Sequence, residues 1–414
     1  MRVIRRRADV AAMWSMAVHE ATAAFGRPEC FVERYVERAR HVEVQLLADT
    51  HGAVVVAGDR DCTVQRRHQK LVEEAPAPFL TAEQRRELHD TASRLGQTAG
   101  YVGAGTVEFL LDGDGRLFFL EVNCRLQVEH PVTEEVAGID LVRAQLAIAA
   151  GGPVPGIDVS TARGHAIEFR LTAEDPAQDF APSSGVLTRF ELPSGPGVRV
   201  DAGVRAGNVV GDQFDSLLAK VIITGADREQ ALARAHRALG EVVVEGVATS
   251  LPFLRALVDD EAFTADRGER FGIDTGWVET ATAGPFGDAL RALAPGPAAT
   301  VAVSVGGRMM DVAVPGLASA APSTQAAAGA QRAGTRSAAA PTDAVVIPMQ
   351  STVVAVHVAD GDVVDAGAHV AVVEAMKMQH LLTAPAAGRV TGLTATVGAS
   401  VASGAVLCRI VQIE

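Results

Sequence analysis

The strongest constraint on this chain is an internal repeat near its C-terminus. Sliding the sequence by 37 residues brings Pro348 onto Pro385, Val353 onto Val390, Gly361 onto Gly398, Val364 onto Val401, Gly367 onto Gly404 and Val373 onto Ile410. Glycines recur where turns need a positive φ, and Val/Ala alternation recurs where strands need a half-buried face. Two tandem copies of one short β motif are therefore expected, meeting at Ala375 to Thr383 as a hairpin that displays Lys377. A lysine on a turn is ordinarily a solvated charge. Met376 and Met378 argue against that here, because apolar residues on both sides of an exposed lysine mark a surface for recognition.

Glu374-Ala375-Met376-Lys377-Met378 resembles the attachment site of biotinyl carrier domains. The resemblance implies an all-β, flattened-barrel domain of the biotinyl/lipoyl type over 344–414, with biotin covalently joined to the Lys377 amine. Methionine before the lysine favours biotin over lipoate, whose domains carry an acidic residue there.

The rest of the chain has room for more. Its 414 residues, 48% of them hydrophobic, suffice for two or three cores, and a net charge of −13 argues against nucleic-acid or membrane-surface binding. No apolar stretch reaches membrane-spanning length, and the Arg-rich start lacks an apolar signal core. Cys30, Cys62, Cys124 and Cys408 are too scattered for a metal site or a disulfide framework, so a cytoplasmic protein is expected.

Residues 8–25 have helical periodicity, and 31–57 read as strands. Thr81, with Gln84 three residues on, is a capping box that opens a helix ended by Gly100. A second helix is expected over 227–239. Residues 281–299 and 316–342 are rich in Ala, Gly, Pro, Ser and Thr, as flexible linkers are. Between them, 300–315 reads as a small hairpin around Gly306-Gly307.

Two strands, 105–111 and 116–123, flank Asp112-Gly113-Asp114-Gly115. An even-residue turn pairs 110 with 117, 108 with 119 and 106 with 121, placing Glu108, Glu121 and Asn123 on one face. Val107, Phe109, Leu111, Leu120 and Val122 form the other. Two carboxylates on one face suit a hard cation such as Mg²⁺, or simply face solvent; period alone allows both. If the chain stays extended beyond, Glu121, Asn123, Arg125, Gln127 and Glu129 line one side. That mixture suits an anionic substrate beside a general base, or a charge-balanced surface strand. Gln65 to Lys70 adds a cationic cluster able to meet phosphate or bicarbonate.

Longer stretches resemble the biotin carboxylase component of biotin-dependent acyl-CoA carboxylases of the acetyl-/propionyl-CoA type, which are ATP-grasp enzymes. They are Arg40 to Gln45, Arg60-Asp61-Cys62, Gln65 to Lys70 running into Val72 to Pro76, Glu121 to Pro131, and Gly164 to Arg170. The resemblance implies an α+β ATP-grasp fold (its C-terminal part) over about 1–278. Its divisions would be a lid remnant at 1–36, a core at 37–160 and a C-terminal domain at 161–280, then the linker of 281–343 and the carrier domain.

By position, the resemblance makes Glu108 and Glu121 ligands of Mg²⁺ or Mn²⁺, with Asn123 beside them. His41, Gln65, His68 and a hinge strand from Glu33 to Val36 would line the ATP site. Lys70, Arg125, Gln127 and Val128 would hold bicarbonate, Glu129 would be its base, and Arg170 would stabilise the biotin enolate. A carboxyltransferase β-chain, a biotin protein ligase, an oligomeric state and a place in fatty acid metabolism are also implied. Relatives of this family precede Met1 with a further domain and a glycine-rich ATP loop that this sequence lacks, so a start upstream is expected. If the truncation were real, only the carrier role would remain.

Overall fold

The computed structural model describes residues 3–156, 163–211, 214–265, 272–293, 299–305, 308–314, 343–347, 351–375, 378–402 and 404–412. After a 3-10 turn at Arg7–Asp9 comes helix α1, Val10–Phe25, ended by Gly26 at φ 70°. The expected strand from 31 is not formed. Residues 27–36 run without strand pairing, with Phe31 and Tyr35 exposed, and regular structure resumes at Arg40. Glu33 and Val36 thus lie on an irregular segment, with no neighbouring strand among the described residues to satisfy a ladder.

An antiparallel sheet follows: β1 Arg40–Ala48, β2 Val54–Arg66 and β3 Gln69–Ala75, then helix α2 Ala82–Ala99, and β4 Gly103–Leu111 with β5 Leu117–Asn123. Helices α3 (His130–Ala137) and α4 (Leu141–Ala149) lead to β6 His165–Thr172, β7 Val198–Ala202 and β8 Leu217–Gly225. The eight strands lie in the order β7-β8-β6-β3-β2-β1-β4-β5. Helices α5 (Arg228–Glu241) and α6 (Leu251–Asp259) pack Ala231, Ala235, Leu239, Phe253 and Leu257 against Phe169, Val221 and Ile223 of the far half.

Alternation within β1 sorts the sheet's two faces. Val42, Val44 and Leu46 join Val107, Phe109 and Leu111 of β4 in a core closed by Leu88 and Ala92 of α2. His41, Glu43 and Gln45 therefore point to the opposite face, together with Thr106 and Glu108. That face carries the candidate site.

Helix α2 forms where its capping box places it. The Thr81 hydroxyl accepts from Gln84 N at 3.1 Å, the Gln84 side chain accepts from Thr81 N at 2.9 Å, and Gly100 closes the end at φ 59°. Replacing Thr81 by Ala should lower stability by about 1 kcal/mol, read as a shifted denaturant midpoint at constant slope.

The β4–β5 register differs from expectation. Glu108 pairs with Glu121 and Thr106 with Asn123, while Phe109 pairs with Phe119, so Leu120 is absorbed in a bulge. The shared face of Glu108, Glu121 and Asn123 survives. The apolar face does not: Phe119 takes the place expected of Leu120 and meets Phe109 edge-on, with ring centroids 6.1 Å apart.

Toward the C-terminus, β9 Ala299–Val305 and β10 Arg308–Val314 form the expected hairpin. Gly306-Gly307, like 316–342, lies outside the described residues. The tandem repeat then forms β11 Ala344–Val346, β12 Ser351–Val356, β13 Val363–Val364 and β14 His369–Ala375. Its second copy is β15 Met378–Thr383, β16 Gly388–Thr391, β17 Ser400–Val401 and β18 Val406–Val411.

Two four-stranded antiparallel sheets result, ordered β11-β18-β16-β13 and β15-β14-β12-β17. Shifting each strand by one repeat turns the first order into the second, so the sequence repeat is a structural two-fold. Val345, Val353, Val370, Val373, Val390, Leu407 and Ile410 fill one core between them. The flattened barrel takes the form of two separate sheets; no closed barrel is formed among the described residues. At Gly388 a side chain would collide with the Val411 carbonyl, while its repeat partner Ser351 is buried without glycine.

Candidate active site

Strand registers assemble a row of charges across the sheet. Arg60 on β2 pairs with Glu43 on β1, Glu43 with Glu108 on β4, and Glu108 with Glu121 on β5. One arginine thus stands beside three carboxylates on one face. Like charges directly opposite are destabilising unless a cation intervenes, and Lys70 supplies one. Its Nζ lies 2.6 Å from Glu43 Oε2, 3.1 Å from Glu108 Oε1 and 2.6 Å from Glu129 Oε1.

Glu43 is the centre that sequence reasoning missed. It is fully buried, and Arg60 Nε donates to its other oxygen at 2.5 Å. Arg60, itself buried, also donates to Gln45, Thr133 and Thr106. Burial alone would raise the Glu43 carboxyl, but Lys70 and Arg60 overcome it and hold it down at about 2. Burial likewise opposes ionisation of Glu108, which the His41 and Lys70 contacts bring to about 2. Burial would lower the Lys70 ammonium, yet Glu43 and its other anionic neighbours hold it far above the ordinary lysine range.

The segment after β5 leaves extended geometry, unlike the alternation expected of it: the strand stops at Asn123, and a turn at 128–129 leads into α3. Arg125, Gln127 and Glu129 are nonetheless gathered. Arg125 Nη1 donates to Gln127 Oε1 at 3.0 Å, and Gln127 Nε2 to Glu108 Oε1 at 3.3 Å. Glu129, fully buried at the N-cap of α3, takes Lys70 on one oxygen and Arg170 Nη2 on the other at 2.9 Å. The Val128 carbonyl accepts from Lys220 Nζ at 3.0 Å, which pins the turn.

Asn123 Nδ2 donates to Glu108 Oε1 and Glu121 Oε1, each at 2.9 Å, bridging the two carboxylates. His41 Nε2 is 3.0 Å from Glu108 Oε2, and Gln65 Nε2 reaches His41 Nδ1 at 3.3 Å. Candidate ligand atoms of His41, Glu43 and Glu108 lie within 4.8 Å of one another. Glu43, Glu108, Glu121 and Glu129 outnumber Lys70, Arg60 and Arg170 by one charge, with Glu121 and Glu108 the least neutralised, and such oxygen ligands fit a hard divalent ion. His68 stands apart, exposed on the β2–β3 turn at φ 65°. Glu33 and Val36 also remain outside the cluster. Lys377 and Met376 lie outside the described residues, although Ala375 and Met378 pair across the gap.

Three family profiles match in succession along the chain. Residues 1–157 match "Carbamoyl-phosphate synthase L chain, ATP binding domain", 168–280 "Biotin carboxylase C-terminal domain", and 343–410 "Biotin-requiring enzyme". Among solved structures, the biotin carboxylase of Campylobacter jejuni in a β,γ-ATP complex is 37% identical with TM-score 0.64, over 68% of this chain and 61% of that one. The biotin carboxylase domain of Hydrogenobacter thermophilus 2-oxoglutarate carboxylase, in complex with MgADP, ADP and bicarbonate, is 39% identical with TM-score 0.64, over the same shares. Fold and site thus define an ATP-grasp biotin carboxylase unit followed by a biotin carrier domain.

A "Biotin-dependent acyl-coenzyme A carboxylase alpha3 subunit" of Mycobacterium leprae is 51% identical over 99% of this chain and 71% of the relative. The biotin carboxylase of Allochromatium vinosum is 46% identical over 64% of this chain and 59% of its own length. The chain belongs to the biotin-dependent acyl-coenzyme A carboxylase α-subunit family. It spans about three-fifths of the biotin carboxylases it matches.

Proposed function

We propose that this chain uses ATP and bicarbonate to carboxylate biotin borne on Lys377, and that a carboxyltransferase β-chain then passes the carboxyl group to an acyl-CoA. One observation carries the reading: Lys70 and Arg170 converge on the two oxygens of buried Glu129, beside the carboxylate row of Glu108 and Glu121. Bicarbonate and a phosphoryl group are both anions, and a preorganised pair of largely buried cations lowers the cost of the charge their reaction develops.

In this reading Lys70, Arg125 and Gln127, with the Val128 turn, hold bicarbonate. Glu129 takes its proton as it attacks the terminal phosphate of ATP, whose bond to the bridging oxygen breaks to release ADP and leave carboxyphosphate, and Arg170 faces the acceptor oxygen on which negative charge builds. Glu108, Glu121 and Asn123 would hold Mg²⁺ or Mn²⁺, which when bound supplies charge neutralisation on the nucleotide phosphates. His41 and Gln65 border the nucleotide side; His68, Glu33 and Val36 reach it only if their segments move toward the cluster. The divisions 1–36, 37–160, 161–280, 281–343 and 344–414 are proposed as its working parts.

A biotin protein ligase as the modifying enzyme, an oligomeric assembly and a cytoplasmic setting complete the proposal. Among the described residues no helix is long and apolar enough to cross a membrane, and all four cysteines are free. Glu129→Gln tests the reading. It should lower bicarbonate-dependent ATP hydrolysis with free biotin by about 10²–10⁴-fold, the usual contribution of a general base, while avidin still captures the variant. Retention of the wild-type rate would remove Glu129 from its role. A wild-type chain without this activity would leave only the carrier.

A further inference from the structure

Behind Arg170 stand two more carboxyls, for which the reaction as described has no use. Glu73 on β3 and Glu168 on β6 are register partners, which puts their Cβ atoms roughly 4.5–5.5 Å apart. Both are fully buried. Arg170 Nε donates to Glu73 Oε1 at 2.6 Å, but Glu73 Oε2 and both oxygens of Glu168 have no hydrogen-bond partner. Three orphaned carboxyl oxygens on one sheet face are unusual, because an unpaired buried charge is among the costliest features a fold can carry.

The charges around the pair do not supply the missing partner. On its own strand Glu168 is flanked by Arg170, whose guanidinium is engaged by Glu73 and Glu129. From β8, Ile222 is its register partner, and Lys220 is engaged by the Val128 carbonyl and Asp201. From β3 come Glu73 and Lys70, the latter held by Glu43, Glu108 and Glu129. From α3 come Val132 and Val136, which join Ile222 and Ala166 in an apolar cluster, with His130 at its first position, Glu134 in mid-helix held by Arg199, and Glu129 at its cap.

We infer that Glu73 and Glu168 hold one proton between them, Glu168 being the carboxylic acid, and that this pair positions Arg170 between Glu73 and Glu129. With the proton in place, a single negative charge behind Arg170 balances the single negative charge of Glu129 in front of it. Loss of the proton adds a second charge behind and draws the guanidinium away from Glu129. Burial, followed by the nearby Glu73 charge, pushes the Glu168 carboxyl well above the carboxylate range; burial raises Glu73 to about 7 against the pull of Arg170. Both directions favour a retained proton. The sign follows: an acid raised in the folded state stabilises the fold below its unfolded value, and that stabilisation is lost as pH climbs toward the folded value.

The kinetic part rests on the proposed roles of Glu129 and Arg170; the proton itself does not. Infrared spectroscopy of the full chain therefore comes first. At neutral pH the wild-type minus Glu168→Gln difference should contain the carbonyl stretch of a protonated, weakly hydrogen-bonded carboxylic acid, fading as pH is raised. Its absence would overturn the proton. The pH profile of bicarbonate-dependent ATP hydrolysis comes second. Wild type should decline on the alkaline side, and Glu168→Gln, which cannot ionise, should show at least about a threefold higher ratio of alkaline to neutral kcat. Identical profiles, with the infrared band present, would overturn the positioning role. Glu73→Gln should lower kcat about tenfold with the KM for ATP unmoved, because Arg170 then keeps an acceptor behind it but loses the balancing charge. A wild-type chain inactive under all conditions would sink the proposed function but leave the infrared result to decide the shared proton.

Discussion

Lys70→Met is expected to lower bicarbonate-dependent ATP hydrolysis by about 10²–10³-fold and to destabilise the fold by about 3–5 kcal/mol. Methionine preserves the stem's length and apolar packing, so both effects report the ammonium. In the wild type that group touches Glu43, Glu108 and Glu129 at 2.6–3.1 Å, and only about an eighth of its side chain is exposed. Removing it leaves three carboxylates facing one another. Arg60 still holds Glu43 and Arg170 still holds Glu129, so the fold should weaken rather than fail.

The destabilisation carries a pH signature. Glu43 and Glu108 titrate at about 2 in the folded protein, below an unfolded glutamate. Depressed carboxyls add stability that is present above the unfolded value and is lost as pH falls toward about 2. Without Lys70 that depression shrinks, so the stability gap should be widest near neutrality and close on acidification. Denaturant unfolding of both proteins at several pH values measures it. A gap that is constant with pH would mean Lys70 acts through its packing alone. Lys70→Arg should not restore the rate, since a planar fork cannot place one nitrogen among three carboxylates as an ammonium does.

How much of this was legible in the sequence depends on where each signal resides. The capping box Thr81–Gln84 and the 37-residue repeat are local patterns whose chemistry closes within a few residues or within one domain, and both appear as read. The shared face of Glu108, Glu121 and Asn123 also appears, but through the wrong register. A bulge at Leu120 is set by how β5 seats on β4, which turn length alone does not reveal. Glu43 stood in the family-like stretch Arg40 to Gln45 but without a role, as one polar residue in the alternation His41-Val42-Glu43-Val44-Gln45. That pattern usually means one face is in water, yet here the segment from Asn123 to α3 and the β3 side chain of Lys70 cover it. Arg60, Glu73 and Glu168 also stood in family-like stretches, but their contacts were hidden, because their partners come from other strands. The expected strand at Glu33 to Val36 failed conversely, since a strand needs a neighbour to pair with, and periodicity carries no information about one.

The largest effect of all is expected at Lys377. Lys377→Ala should reduce avidin capture of the chain to background and abolish any transfer of carboxyl to an acyl-CoA, with hydrolysis of ATP in the presence of free biotin left intact. The separation follows from architecture. The carboxylate row and Arg170 belong to the eight-stranded sheet, while Ala375 and Met378 close the β14–β15 hairpin of the repeat domain, whose core of Val353, Val373, Val390 and Ile410 is its own. Removing the amine proposed as the attachment point therefore changes no residue of the sheet. Lys377→Arg should behave like Ala, because acylation needs a neutral amine nucleophile and a guanidinium stays protonated. Met376→Glu, which moves the motif toward an acidic residue before the lysine, should weaken biotin attachment while leaving the lysine in place. Mass spectrometry of the tryptic peptides spanning 377 reads both results, and biotin found on any other lysine would place the carrier function elsewhere in the chain.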